Sequence, residues 1–139
     1  MARERTLVDS SFLYAAYDES DKFHEPAIQE LDSNQILLIP EIALVEVAYL
    51  LKLRLGIPAT LEFLDTISAT ELPFINVATN DLKRARDIMA TYADNRFDFV
   101  DCCIMALAER LKVTKIYTFD RRDFSVFRPN HCDYLDLLP

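Results

Sequence analysis

A chain of 139 residues, 51% hydrophobic and 27% charged, has the length for one domain around a single sizeable core, and its composition excludes a disordered or low-complexity protein. A formal net charge of -8 excludes nucleic-acid recognition through a broad basic surface; either the partner is not a polyanion, or metal ions and a few local cations do the work. The three cysteines, adjacent at 102 and 103 and distant at 132, have neither zinc spacing nor a disulfide framework; they read as reduced core thiols, since only two histidines exist to activate one.

No Pro/Gly/Ser-rich linker and no solenoid-period repeat divides the sequence, so one domain over residues 1–139 is expected. Apolar runs are broken by charge within roughly ten residues, short of the ~20 that a membrane-spanning helix needs. Arg3, Glu4 and Arg5 precede only a short apolar segment, unlike a signal peptide, and a cytoplasmic location is the default expectation.

In chain order, TLVD (Thr6 to Asp9) reads as a strand with a carboxylate at its end, followed by a helix over SSFLYAAY capped by Ser10 or Ser11. Lys22 to Leu31 is a second helical stretch, and QILLI (35 to 39) a buried strand stopped by Pro40. That proline opens a helix running through Glu46 to about Leu55, which ends at Gly56, the single glycine of the chain. Pro58 restarts a helix to about Ser68, and LPFINV (72 to 77) is the third strand. Amphipathic helix follows over Asn80 to Tyr92, then helix over FDFVDCCIMALAERL (97 to 111). KIYTF (115 to 119) is the fourth strand, and DYLDLL (133 to 138) a short edge strand. Strands of four to six residues alternating with longer helices predict an α/β fold, with a short, mostly parallel sheet of four to five strands flanked by helices on both faces. Ligands of such sheets gather at the carboxyl ends of the strands, which makes Asp9 and Asp120 worth pairing.

Five acids stand out: Asp9, Glu46, Asp98, Asp101 and Asp120. Glu46 lies within IALVEVAYLLKL, with Ala43, Val47 and Leu50 at helical neighbour spacing, so its face reads as buried and its charge needs a partner. Asp98 and Asp101 are one helical turn apart at the start of an apolar helix. Each acid also has a local reading: Asp9 as a helix cap, Asp98 and Asp101 as a capping box, Asp120 as a turn residue, Glu46 as the partner of a buried Arg or tilted to solvent. Taken together, several carboxylates at one sheet edge repel one another and stay ionised only with compensation. A divalent cation supplies it, and the absence of a His/Cys cluster favours Mg²⁺ or Mn²⁺ over zinc. A carboxylate cage of this kind is a common means of phosphodiester hydrolysis.

The order LVDSSFLYAAYD, ALVEVAYLL, FDFVDCCIMALAERL, IYTFDRRDF and closing YLDLLP resembles the PIN-domain ribonucleases, in particular the VapC-type toxins of VapBC toxin–antitoxin pairs. The resemblance runs across nearly the whole chain. It implies an Mg²⁺- or Mn²⁺-dependent endoribonuclease, often a homodimer, with an antitoxin protein as partner. It also implies that Asp9, Glu46, Asp101 and Asp120 are the catalytic, metal-holding acids, with Ser11 and Thr118 as supporting hydroxyls. Many relatives carry Ser or Thr where this chain has Asp98, which fits a capping role there; Asp123 either lines the site or solvates its loop. Arg96, Arg121 and Arg122 are the candidate RNA contacts, each with the alternative of a solvated surface residue, and an in-line attack on RNA would leave 5′-phosphate and 3′-hydroxyl ends. Three other readings stay open: a housekeeping PIN nuclease outside any toxin–antitoxin pair, a receiver-type binding module, and a scaffold whose acids are structural. The receiver reading is weakened by a third strand that ends FINVATN, without an acid.

Overall fold

The alternation of side chains along short apolar strands lets one sheet feed two cores. In the computed structural model, which describes residues 3–31 and 35–139, Leu7 faces one core and Val8 the other; Leu38 opposes Leu37 and Ile39, and Ile116 opposes Tyr117, in the same way. The strands are β1 (Glu4–Val8), β2 (Gln35–Pro40), β3 (Phe74–Ile75), β4 (Lys115–Tyr117) and β5 (Asp136–Leu138). They form one sheet in the order β3-β2-β1-β4-β5, every pairing parallel, with Leu7 opposite both Leu38 and Ile116. The chain leaves β1 toward β2 on one side, while β4 lies on the other. The carboxyl ends of β1 and β4 therefore bound the crevice at which such sheets bind ligands.

Helices cover both faces. Helices α1 (Ser10–Tyr17), α2 (His24–Leu31), α3 (Glu41–Leu55) and α4 (Ile57–Ser68) enclose the core containing Val8, Phe12, Val47, Leu51 and Phe63. Helices α5 (Thr79–Thr91), α6 (Phe99–Leu111) and α7 (Arg122–Val126) enclose the other, around Leu7, Ile88, Ile104, Leu107 and Phe124. Every residue of α6 from Cys102 to Glu109 is buried, which requires a helix apolar almost all round. Its one acid in that stretch, Glu109, accepts a bidentate pair from Arg84 of α5 at 2.6 and 3.0 Å, and Arg110 bonds Asp81 at 3.0 Å. Breaking a buried, paired carboxylate of this kind leaves an uncompensated charge, so these contacts fix α6, and with it Asp101, against α5. The cysteines are free, and burial pushes the Cys102 and Cys103 thiols up to about 12 and 11, so neither is a thiolate at neutral pH. Among the described residues, no helix is long and apolar enough to cross a membrane.

Several boundaries differ from the sequence expectation, each for a physical reason. The cap of α1 is Asp9, not Ser10 or Ser11, because its carboxylate reaches the Phe12 N–H at 3.0 Å. The third strand pairs over Phe74 and Ile75 alone, at the sheet edge; Pro73 has no N–H to give, and its carbonyl accepts from Ile39 at 3.0 Å. The fifth strand starts at Asp136 rather than 133, at the opposite edge, as anticipated. Helix α7 and a 3₁₀ turn over Ala93–Asn95 were not anticipated, each being too short to show a helical period.

Gly56 ends α3 at φ 94° and ψ -179°, a region essentially reserved for glycine, and its N–H caps Leu51 and Lys52. An added Cβ would find room, the nearest atom being Pro58 Cδ at 3.8 Å, so only backbone strain opposes it. Gly56→Ala is expected to lower stability by about 1–3 kcal/mol with an unchanged m-value in urea denaturation; an unshifted midpoint would count against the strain.

Candidate active site

Asp9 leaves the end of β1 and at once caps α1, which buries it to 2% exposure between the two cores. Its Oδ1 accepts from Phe12 N at 3.0 Å and Ser11 Oγ at 2.7 Å, and its Oδ2 from Thr118 Oγ1 at 2.5 Å. The two hydroxyls also tie the end of β4 to α1: Ser11 Oγ accepts from Phe119 N at 2.9 Å, and Thr118 Oγ1 accepts from Asp120 N at 3.0 Å. Burial nevertheless pushes the Asp9 carboxyl up to about 6, against the downward pull of these hydrogen bonds and with a further push from the charge of Asp120.

Asp101 stands at the third position of α6, half-buried. Its carboxyl is pushed up to about 9, first by burial, then by the charge of Asp9, a hydrogen bond shared with the Asp123 carboxyl, and the charges of Asp98 and Asp123. Asp98 is the exposed N-cap: its Oδ1 accepts from Val100 N at 2.8 Å and Asp101 N at 3.4 Å. Asp123 Oδ2 in turn accepts from Asp98 N at 3.0 Å, so the start of α6 is tied to α7.

Asp120 is half-buried and grasped by Arg122, with Nε to Oδ1 at 3.1 Å and Nη2 to Oδ2 at 3.0 Å, which holds its carboxyl below the usual carboxylate range. Glu46 lies on the flank of α3 between buried Ala43, Val47 and Leu51, is itself half-buried, and accepts a hydrogen bond from Ser10 Oγ. It shares a cleft of about 290 Å³ with Ser10, Ser11, Arg54, Phe119 and Asp120. Leu50, expected on the buried face, is only partly buried.

The structure therefore brings Asp9, Asp101 and Asp120 into one electrostatic neighbourhood, and places Glu46 one residue from Asp9 through Ser10. Among the described residues, no three such side chains form a ready-made metal cage. Asp120 is engaged by Arg122 and Glu46 by Ser10. The donor chemistry still fits a hard divalent cation, since every side chain offered is a carboxylate or hydroxyl and a bound cation would take the place of the proton that Asp101 otherwise keeps. Of the three arginines, Arg122 and Arg96 line a second cavity of about 500 Å³ with Asn95, Phe97, Asp98 and Asp123, whereas Arg121 donates to the carbonyl of Pro139 and holds the end of β5. Sequence reading missed Ser10 as the partner of Glu46 and left Asp123 undecided; a contact that depends on how α1 meets α3, or α6 meets α7, has no local signature.

Fold and site together define a class: a parallel α/β domain with an oxygen-donor acid cluster at its topological switch point. Residues 6–128 match the PIN domain family, and the chain belongs to it. Ribonuclease VapC26 of Mycobacterium tuberculosis is 29% identical over 124 residues, covering 88% of this chain and 92% of that protein. Among solved structures, VapC20 of M. tuberculosis, described as a sarcin–ricin loop cleaving toxin, superposes with a TM-score of 0.82 at 21% identity, over 96% of this chain and 99% of that one. VapBC2 from Rickettsia felis, bound to a promoter DNA fragment, gives 0.69 at 15% identity over 96% of each chain. These two likenesses are of fold. Family membership removes the receiver-type reading.

Carboxyls raised in the folded state bind protons that the unfolded chain would release. Their contribution to stability is complete below about pH 4, near the ordinary value of 3.8, and is lost as pH rises through about 6 for Asp9 and about 9 for Asp101. In EDTA, urea denaturation is expected to show stability falling from pH 5 to 9, and Asp101→Asn is expected to flatten the upper part of that fall. A wild-type curve level from pH 6 to 9 would contradict the crowding.

Proposed function

We propose that this chain, acting as a single PIN-like domain, is a divalent-metal-dependent endoribonuclease and the toxin of a toxin–antitoxin pair. The observation that carries the reading is the set of carboxylates around the carboxyl ends of β1 and β4: Asp9, 2% exposed and held by Ser11 and Thr118, with Asp101 and Asp120 in its electrostatic neighbourhood. Asp9, Glu46, Asp101 and Asp120 would hold Mg²⁺ or Mn²⁺. When bound, the ion supplies an activated water and charge neutralisation for phosphodiester hydrolysis. The chain's own groups hold the rest in place. Ser11 and Thr118 fix both oxygens of Asp9, and Asp98 and Asp123 fix the first turn of α6 so that Asp101 faces it. Arg96 and Arg122, which line the rim cavity, are the cations we assign to RNA phosphates; Arg122 is also the partner of Asp120, and Arg121 donates to the carbonyl of Pro139.

The names of relatives support the same substrate class, a ribonuclease and a toxin that cleaves the sarcin–ricin loop. Protein partners are supported by an unusual apolar stripe: Val45, Tyr49 and Leu53, one helical turn apart on α3, are 72%, 65% and 68% exposed, and Ile57 and Leu61 of α4 extend the apolar surface. A second copy of the chain and an antitoxin, both in the cytoplasm, are the partners we assign. A toxin–antitoxin complex from Klebsiella pneumoniae, which shares this fold, supports the antitoxin.

Asp101→Asn is expected to reduce metal-dependent RNA cleavage by at least about a hundredfold and to weaken Mn²⁺ binding in calorimetry, while the protein unfolds no more easily than wild type. Full cleavage by the variant would overturn the assignment.

A further inference from the structure

The second cavity beside the acids holds two arginines in different states. Arg122 is a rim residue with its side chain 86% exposed, yet both arms of its guanidinium are on Asp120, itself 43% exposed. Arg96, across the same cavity, makes no hydrogen bond or ion pair with its guanidinium among the described residues. Its backbone is left-handed at φ 54°, a conformation uncommon outside glycine and concentrated at functional positions. The acids lining the cavity have backbone partners: Asp98 Oδ1 accepts from N–H groups of α6, and Asp123 Oδ2 from the N–H of Asp98.

Resting on the ribonuclease reading, we propose that Arg122 is an exchangeable counter-ion: it occupies Asp120 in the metal-free chain, and once Asp120 turns to a divalent cation it joins Arg96 in binding an RNA phosphate in the cavity between the 3₁₀ turn and α7. Three features require the exchange. A guanidinium on both oxygens of Asp120 and a divalent cation on the same carboxylate repel each other, so the acid serves one at a time. The pair is solvent-exposed and therefore cheap to open. The freed guanidinium already lines the cavity, and its planar fork suits a phosphate as well as it suits a carboxylate. The cavity rim carries two arginines against two aspartates; without the cation the charge of Arg122 is also spent on Asp120, and with the cation on Asp120 that charge is free for the strand.

The test uses Arg122→Gln, with Arg121→Gln as the neighbour that removes the same charge without touching Asp120. Calorimetric titration with Mn²⁺ alone is expected to show binding about two- to fivefold tighter in Arg122→Gln and unchanged in Arg121→Gln. With Mn²⁺ saturating and a single-stranded RNA as substrate, Arg122→Gln is expected to raise KM about tenfold with little change in kcat. One substitution thus tightens the metal and loosens the RNA. Unchanged Mn²⁺ affinity in Arg122→Gln, or equal tightening in Arg121→Gln, overturns the exchange, and an unchanged KM overturns the phosphate contact. A wild-type chain that binds no Mn²⁺ refutes the metal reading itself, an outcome distinct from either.

Discussion

Like charge at close range, sheltered from water, is the constraint on which the carboxyl edge of this sheet depends. Asp9 is delivered there by β1 and buried by the helix it caps, and Asp101 is delivered by α6, which is packed too tightly to move aside. Asp9 cannot retreat into solvent, and in the bare chain burial and the charge of Asp9 push the half-buried Asp101 carboxyl up to about 9. The hydroxyls of Ser11 and Thr118, the cap at Asp98 and the tie through Asp123 all serve to keep the two acids in place despite that push. Acids held this firmly against like charge are what the proposed cation site would need before its ion arrives.

The rest of the cluster is held open by local partners. Asp120 leans on Arg122 and Glu46 on Ser10, so the four acids surround one end of the sheet without closing on one point. The sheet topology explains why they converge at all. With β1 central and its neighbours β2 and β4 reached in opposite directions, the residues just past β1 and β4 have no crossover above them. Asp9 and Asp120 occupy those two positions, and α3 and α6 bring Glu46 and Asp101 in from opposite faces.

Much of this was legible in the sequence because it is written in short patterns. An apolar run ending in Asp marks both Asp9 and Asp120, and the buried helix following Asp98 is apolar for long enough to be unmistakable. A mostly parallel sheet followed from the alternation of strands and helices, and the structure makes every pairing parallel. The parts that stayed hidden depend on contacts distant in sequence or on margins of one residue. Asp9 and Ser10 are both good caps, and which of them takes the role decides that Ser10 is free to reach Glu46. Asp120 and Arg122 pair only because the chain turns directly into α7, a five-residue helix with no period to read. Asp123 meets Asp98 and Asp101 across 25 and 22 residues of sequence. The division among the arginines is tertiary as well, since the position of the Pro139 carbonyl is what removes Arg121 from the rim.

The most direct measurement is the titration of the Asp101 side-chain carboxyl by carbon NMR, once in EDTA and once in saturating Mg²⁺. In EDTA the carboxyl should titrate far above the ordinary carboxylate range, and Mg²⁺ should bring it down to or below that range, because the cation replaces the proton as the compensating charge. An Asp101 that titrates ordinarily in EDTA, or whose titration Mg²⁺ leaves unmoved, would contradict the account.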